Sequence, residues 1–333
     1  MTTDISVIIC SHNPQDRYLS RVLAALKSQT LPLMHWELLI VDNASDYPIS
    51  QRWDIAWHPH ARHITEPRLG LTHARLTGIR AAQSPLLLFL DDDNVPVSNY
   101  LEQAVRIAIE KPSVGVFGAG TIEPEFELAP VTELEPYFPF LAIRSVEQSV
   151  EKVDPSLGLI PCGAGLCVRA DVAQQYSSIV SSCPVRSALG RTGARLLSGE
   201  DDEFSWVAQA MGCRHAIYKE LRLLHLIDGR RVQVPYLEGI IHGSGYSSAM
   251  LAQAHGRSER NPYAIPSLSN CFSLIRRLEM FHALLELYRW VKFRCRSQIA
   301  RRFATALANG WNDGQADYHA RIAPLISTGR QEP

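Results

Sequence analysis

Three consecutive carboxylates, Asp91, Asp92 and Asp93, follow the apolar run Leu86-Leu-Leu-Phe-Leu90, and a second acidic group, Glu200, Asp201, Asp202 and Glu203, stands later in the chain. Adjacent carboxylates repel one another unless a cation or a set of hydrogen-bond donors holds them. The natural counter-charge for such oxygen ligands is a hard divalent ion, Mg2+ or Mn2+, shared with the phosphates of a ligand. The second group could take a proton from a substrate hydroxyl, since a carboxylate within hydrogen-bond reach can act as general base. The plain alternative for each is a solvated acidic turn that caps a helix.

The elements before these residues must position them. Residues 86–90 read as a short buried strand, five apolar residues bounded by Pro85 and the acidic cluster. The carboxylates then lie at a strand's C-terminal end, the edge where open α/β sheets bind ligands. Continued extension beyond the strand would turn Asp91 and Asp93 to one side and Asp92 to the other. Upstream, Ser6-Val-Ile-Ile-Cys10 and Trp36-Glu-Leu-Leu-Ile-Val41 are strands that run into polar turns at Ser11-His12-Asn13 and Asp42-Asn43. Helical periodicity covers 18–29, 71–83 and 99–110, and further strands are expected at 62–65 and 114–117. Alternating strands and helices predict a mostly parallel, doubly wound sheet.

The chain of 333 residues is long enough for one large or two modest domains, and its net charge of −1 argues against a nucleic-acid binder. Seven cysteines without a Cys-x-x-Cys pair suit a reduced compartment. With neither a secretory leader nor a membrane-spanning apolar run in view, the expected location is cytoplasmic. The first strand is not followed by Gly-x-Gly-x-x-Gly or a Walker A loop, so a diphosphate would depend on a metal and basic side chains for neutralisation.

The ordered set Val7-Ile-Ile-Cys-Ser-His-Asn13, Ser28-Gln29, Glu37-Leu-Leu-Ile-Val-Asp-Asn-Ala-Ser-Asp46, Gly70-Leu-Thr-His-Ala-Arg75 with Gly78, and Phe89-Leu-Asp-Asp-Asp93 resembles the family 2 glycosyltransferases of GT-A fold. The resemblance implies a Rossmann-like catalytic domain over 1–232, with a nucleotide-sugar part at 1–120 and an acceptor and catalytic part at 157–232, followed by a mainly helical region at 233–333. It implies a sugar transfer from a nucleotide-diphospho-sugar, by default a UDP-sugar, to a hydroxyl of a glycan or lipid-linked acceptor in cell-surface glycan synthesis. Mg2+ or Mn2+ is the expected cofactor.

Carried over residue by residue, Asp42 binds the base, with Ser11 and Asn13 beside it, and Arg75 lies near the nucleotide. Asp91 faces the ribose and donor sugar, and Asp93 holds the metal. In Ser198-Gly-Glu-Asp-Asp-Glu-Phe204, Asp201 matches the family's general base, Glu200 shapes the acceptor pocket and Asp202 is the alternative base. His225 is a candidate metal or diphosphate ligand, with Arg230 and Arg231 downstream. Gly163 and Gly165 would let backbone approach the donor sugar; a bulge in a strand is the other reading of the pair.

Residues 123–155 lose periodicity and read as a long excursion anchored by Tyr137-Phe-Pro-Phe-Leu141. Residues 275–308 read as one basic amphipathic helix, suited to an anionic membrane surface or to packing on the chain's own core or in a homodimer. Two rival functions, a sugar nucleotidyltransferase and a non-catalytic nucleotide-sugar-binding module, share the expected sheet.

Overall fold

The computed structural model describes residues 3–187, 189–192, 196–257, 260–270 and 280–321. The chain divides into two compact units, Met1–Val232 and Gln233–Gln331. The first unit opens with β1 (Ile5–Ser11), α1 (Asp16–Lys27), β2 (Trp36–Asn43), β3 (Ala61–Glu66), α2 (Leu71–Ala81), β4 (Leu86–Phe89), β5 (Asn94–Pro96) and α3 (Tyr100–Glu110). It continues with β6 (Val114–Phe126), β7 (Arg144–Ser145), β8 (Val150–Lys152), β9 (Leu166–Arg169), α4 (Ala170–Ser182), the single turn α5 (Pro184–Ser187), α6 (Asp202–Ala210) and β10 (Arg214–Ile227).

The strand order is β3-β2-β1-β4-β9-β6-β10-β5, with β7 added to β6 and β8 to β10. β3, β2, β1 and β4 run parallel, as do β6 and β10, while β9 and β5 run against their neighbours. This is the mixed α/β fold with a mostly parallel sheet that the sequence implies.

Strand alternation sends Ile5, Val7 and Ile9 of β1 and Leu38 and Ile40 of β2 to one core with α1 and α3. Ile8, Leu39 and Val41 go to a second core with α2, α4 and α6. Apolar burial on both faces explains why β2 reads as one continuous apolar run rather than an alternating one. The carboxylate near the start of β2, Glu37, is buried but fully engaged, accepting from Ser6 Oγ at 2.6 Å, Gln83 N at 2.6 Å and Arg62 Nη2 at 2.8 Å.

Three expectations need correction. The chain does not stay extended after β4 but turns at Asp92–Asp93, so strand alternation does not apply there and Asp92 folds onto β1. The stretch 123–155 is not a plain excursion: β6 extends to Phe126, and β7 and β8 add edge pairings to the sheet. Its aromatic anchor does form, with Phe138 against Phe126 at 5.2 Å and Leu141 buried. Finally, the helix expected over 275–308 is broken. Residues 271–279 lie outside the described set, and two helices follow, α8 (Met280–Arg294) and α9 (Gln298–Arg321). Ser297 starts the second, accepting Ala300 N–H on Oγ at 3.2 Å and Arg301 N–H on its carbonyl at 3.0 Å.

In the second unit, α7 (Val234–Ala254) packs along α9 with little between the backbones. A Cβ at Gly310 would stand 1.9 Å from His242 O and one at Gly314 2.4 Å from Tyr246 O. Ion pairs Glu238–Arg302 and His242–Asp313 fix the same register. Helix α8 instead exposes Leu284, Leu285, Leu287, Tyr288 and Val291. Among the described residues no helix is long and apolar enough to cross a membrane.

Candidate functional site

The C-terminal edge of β2-β1-β4 gathers the first set of predicted residues. Parallel pairing sets Ser11 beside Asp42, and Ser11 Oγ donates to Asp92 Oδ2. Asn13 takes a left-handed backbone, φ 51°, and clasps the turn after β2: Nδ2 donates to Asp46, Asp46 N donates to Oδ1, and its own N donates to Ser45 Oγ. Asp42 holds that turn from inside, accepting Ser45 N–H at 3.1 Å and Ile49 N–H at 2.9 Å. Both Asp42 oxygens thus have a structural task whatever else they bind. Asn43, which the motif reading passed over, ties the same edge to α2 by accepting Gly70 N–H at 2.8 Å and donating to Arg68 O at 2.7 Å.

The antiparallel pairing of β5 with β10 decides the metal candidates. It sets Asn94 opposite His225, and Leu226 N donates to Asp93 O at 2.8 Å. Asp93 Oδ2 then lies 3.4 Å from His225 Nε2 and accepts from Arg231 Nη1 at 2.8 Å, while Asn94 Nδ2 donates to Oδ1 at 3.0 Å. Burial pushes the Asp93 carboxyl up. The cationic groups facing it, His225 when protonated, Arg231 and Arg191, outweigh that and hold it well below the usual carboxylate range. Asp92 goes the other way: burial and the charge of Asp93 lift it to about 7. Asp91 is also raised, by burial and Asp93, against the pull of Arg75, Arg191 and His225.

An oxygen and an imidazole nitrogen at this spacing suit Mg2+ or Mn2+ as donors. Among the described residues no group of three or more His, Cys, Asp or Glu is arranged to hold a metal. Asp93 Oδ2 and His225 Nε2 are two donors, 3.4 Å apart, that would need ligand oxygens beside them to hold such a cation.

The acidic group at 200–203 opens α6. That helix is anchored by Phe204, which stacks on Tyr176 at 3.8 Å, and by the buried ion pair of Glu203 with Arg186. Asp201 caps it, accepting Asp202 N–H at 3.1 Å on Oδ1 and Gly163 N–H at 2.7 Å on Oδ2. Glu200 is buried and pairs with Arg75 at 3.1 Å through Oε1, while Oε2 has no hydrogen-bond partner among the described residues. Burial lifts Glu200 to about 7, with Arg75 offsetting part of the push. Asp202 is raised well above its ordinary value by burial and then by Asp201 and Glu200; its partial exposure limits the first influence but not the like charges.

Arg75 is not at the surface of α2: it is 2% exposed and lies over the Phe89 ring at 5.5 Å. The carboxylates of Glu200, Asp201 and Asp91 all act on it, so one buried cation neighbours both acidic groups. The glycines prove to serve this packing. A Cβ at Gly163 would meet Arg75 Nη2 at 2.4 Å, and one at Gly165 would meet Tyr100 Oη at 2.4 Å, where that hydroxyl donates to Gly165 O at 2.7 Å. The room beside each is filled by this chain's own side chains. Arg191, absent from the motif reading, acts on Asp91, Asp93 and Glu200 alike. The signal available in the sequence was indirect: two acidic groups demand cations from the segment between them.

Residues 6–155 match the family model described as Glycosyl transferase family 2. Glycosyltransferase AglE of Haloferax volcanii is 34% identical over 104 residues, covering 30% of this chain and 34% of that protein. Polypeptide N-acetylgalactosaminyltransferase 8 of Drosophila melanogaster is 30% identical over 112 residues, 32% of this chain and 19% of that protein. The matches thus span about a third and a fifth of those relatives' lengths. The crystal structure of residues 1–349 of S. aureus TarS aligns with a TM-score of 0.49 at 15% identity, covering 96% of this chain and 92% of that one. Its complex with UDP aligns at 0.48 over the same shares.

Proposed function

We propose, from the premise that residues 6–155 of this chain are a family 2 glycosyltransferase domain, that the protein moves a sugar from a nucleotide-diphospho-sugar to an acceptor hydroxyl with inversion at the anomeric carbon. The observation that supports this reading is buried Arg75, which pairs with Glu200 and is acted on by Asp201 and Asp91, so that one cation neighbours both acidic groups.

At the first end, Asp42, Ser11 and Asn13 receive the nucleoside at the edge of β1 and β2, and Asp91 faces the ribose and donor sugar. Asp93 and His225 would hold Mg2+ or Mn2+. When bound there, the cation supplies positive charge to the departing diphosphate. At the second end, Asp201 accepts the proton of the acceptor hydroxyl as that oxygen bonds to the anomeric carbon. Its orientation is fixed by the Gly163 and Asp202 amides. Asp202 is the weaker candidate, because burial and the charges of Asp201 and Glu200 disfavour its ionised, proton-accepting form. Buried Glu200 Oε2 has a free lone pair for an acceptor hydroxyl.

The acceptor is a glycan or a lipid-linked sugar. Exposed Leu284, Leu285, Tyr288 and Val291 beside Arg289 and Lys292 give α8 the chemistry of a peripheral contact with an anionic membrane. Failure to float with anionic vesicles at low salt would remove that contact and leave a homodimer or the chain's own core as the partner of α8.

The test of the reaction is a panel of nucleotide-diphospho-sugars with Mn2+ and acceptor glycans. Release of nucleoside diphosphate with a product of opposite anomeric configuration supports the reading. Pyrophosphate release from a nucleoside triphosphate and a sugar 1-phosphate would replace it with a nucleotidyltransferase, and binding without turnover of any donor would leave a nucleotide-sugar-binding module.

A further inference from the structure

Arg231 occupies an unusual position. Its Nη1 lies 2.8 Å from Asp93 Oδ2 and 3.0 Å from His225 Nε2, the two atoms to which the proposed function assigns the divalent cation. A guanidinium nitrogen can only donate, so a hydrogen bond at the second contact requires His225 Nε2 to accept, with the ring proton on Nδ1. The competing arrangement, a protonated Nε2 donating to Asp93 across 3.4 Å, would set two donors against each other at 3.0 Å. The shorter contact favours the accepting nitrogen, and its lone pair is the one a metal would use. Among the described residues His225 Nδ1 and Arg231 Nε are buried without a hydrogen-bond partner. The guanidinium is held through Nη1, at the end of the short turn in which Arg231 N donates to Asp228 O.

At Asp93 Oδ2 the hydrogen-bonded guanidinium supplies a single positive charge. A divalent ion supplies two and can take two ligand atoms at once.

We infer that Arg231 is an internal counter-cation that holds the Asp93 and His225 pair until a divalent ion displaces it, so that metal loading requires this side chain to swing away. Metal and guanidinium are alternatives for the same two atoms. The released guanidinium, with its five N–H donors, is then available to an anionic ligand, for which its planar fork is well shaped.

The inference rests on the metal role proposed for Asp93 and His225, and the experiment separates the two. Mn2+ alone is titrated into the full chain, with free Mn2+ followed by electron paramagnetic resonance and binding checked by thermal shift, no donor or acceptor being present. The wild type is expected to bind weakly, and Arg231→Met at least about tenfold more tightly; Arg231→Lys, which keeps a positive charge, should stay near the wild type. Arg231→Gln replaces Arg231→Met should the latter fail to fold. Asp93→Asn combined with Arg231→Met should abolish the gain. Equal Mn2+ affinity in wild type and Arg231→Met, micromolar binding of Mn2+ alone by the wild type, or no Mn2+ binding by Arg231→Met would each overturn the inference. Should Asp93→Asn leave Mn2+ binding untouched in every background, the metal reading itself falls as well.

Discussion

The two acidic groups are alike in composition and differ in their counter-charges. At 91–93 the carboxylates meet side chains: Ser11 for Asp92, and Arg231, Asn94 and His225 for Asp93. At 200–202 they meet mainly backbone amides, with Arg75 as the ion-pair partner of Glu200 and, among the described residues, one oxygen of Glu200 left without a hydrogen bond. The consequences diverge. Asp93 is held ionised far below neutrality, whereas Glu200 is lifted to about 7. What a carboxylate cluster can do follows from the cations supplied to it rather than from the number of acids it contains. The cation-rich group is suited to a metal and a diphosphate, the cation-poor one to a proton.

The contrast is broken most severely at Asp201. Asp201→Asn should lower the rate of nucleoside diphosphate release by roughly a thousandfold, the scale of a lost general base; a variant within tenfold of wild type would move the base elsewhere.

Next comes Arg75→Met, which leaves the Glu200 charge buried without a partner and should cost about 3–5 kcal/mol in denaturant unfolding. Adding Glu200→Gln should recover part of that loss, and equal losses in the single and double variants would mean that the ion pair contributes nothing specific.

The pH profile sharpens the same contrast. Glu200 has a raised pKa, so it is ionised above about 7 and gains a proton as pH falls through that value. If its charge is what Arg75 and the acceptor require, kcat/KM should fall on the acid side, approaching tenfold per unit below about pH 7. In Glu200→Gln the limb should vanish and overall activity should be lower. A limb that persists unchanged in Glu200→Gln would assign it to another group.

The smallest effect is expected at Gly163→Ala. Its new Cβ, 2.4 Å from Arg75 Nη2, must push the guanidinium aside, at a cost of about 1–3 kcal/mol in unfolding. No loss there would show that Arg75 has room to spare.

Much of the first half of the sheet was legible because local pattern and fold agree there. β1, β2 and β4 are mainly apolar runs, interrupted by Ser6 and Glu37, and each leads into the polar residues that form the site edge. The direction of β9 and the insertion of β5 were not legible, since antiparallel pairing is set by long connections that leave no periodic trace. The sequence at 214–227 reads as two apolar pieces. Packing joins them into one strand, β10, whose register against β6 shifts between Tyr218 and Arg222. Acidic residues announced themselves at both ends of the site, but their cations did not. Arg191 lies where periodicity is absent, and Arg75 sits in a helix where a charged residue normally faces water yet is buried over Phe89. In the C-terminal unit, Ser297 was a visible cap signal inside an otherwise continuous helical pattern, and it is there that the helix ends and restarts.

The division of labour between the two acidic groups is tested most directly by calorimetric titration of a donor nucleotide-sugar, with and without Mn2+, into Asp93→Asn and Asp201→Asn side by side. The account predicts that Asp93→Asn loses the Mn2+-dependent part of donor binding, while Asp201→Asn binds donor within about twofold of wild type. Loss of donor binding in Asp201→Asn, or its full retention with Mn2+ in Asp93→Asn, would contradict it.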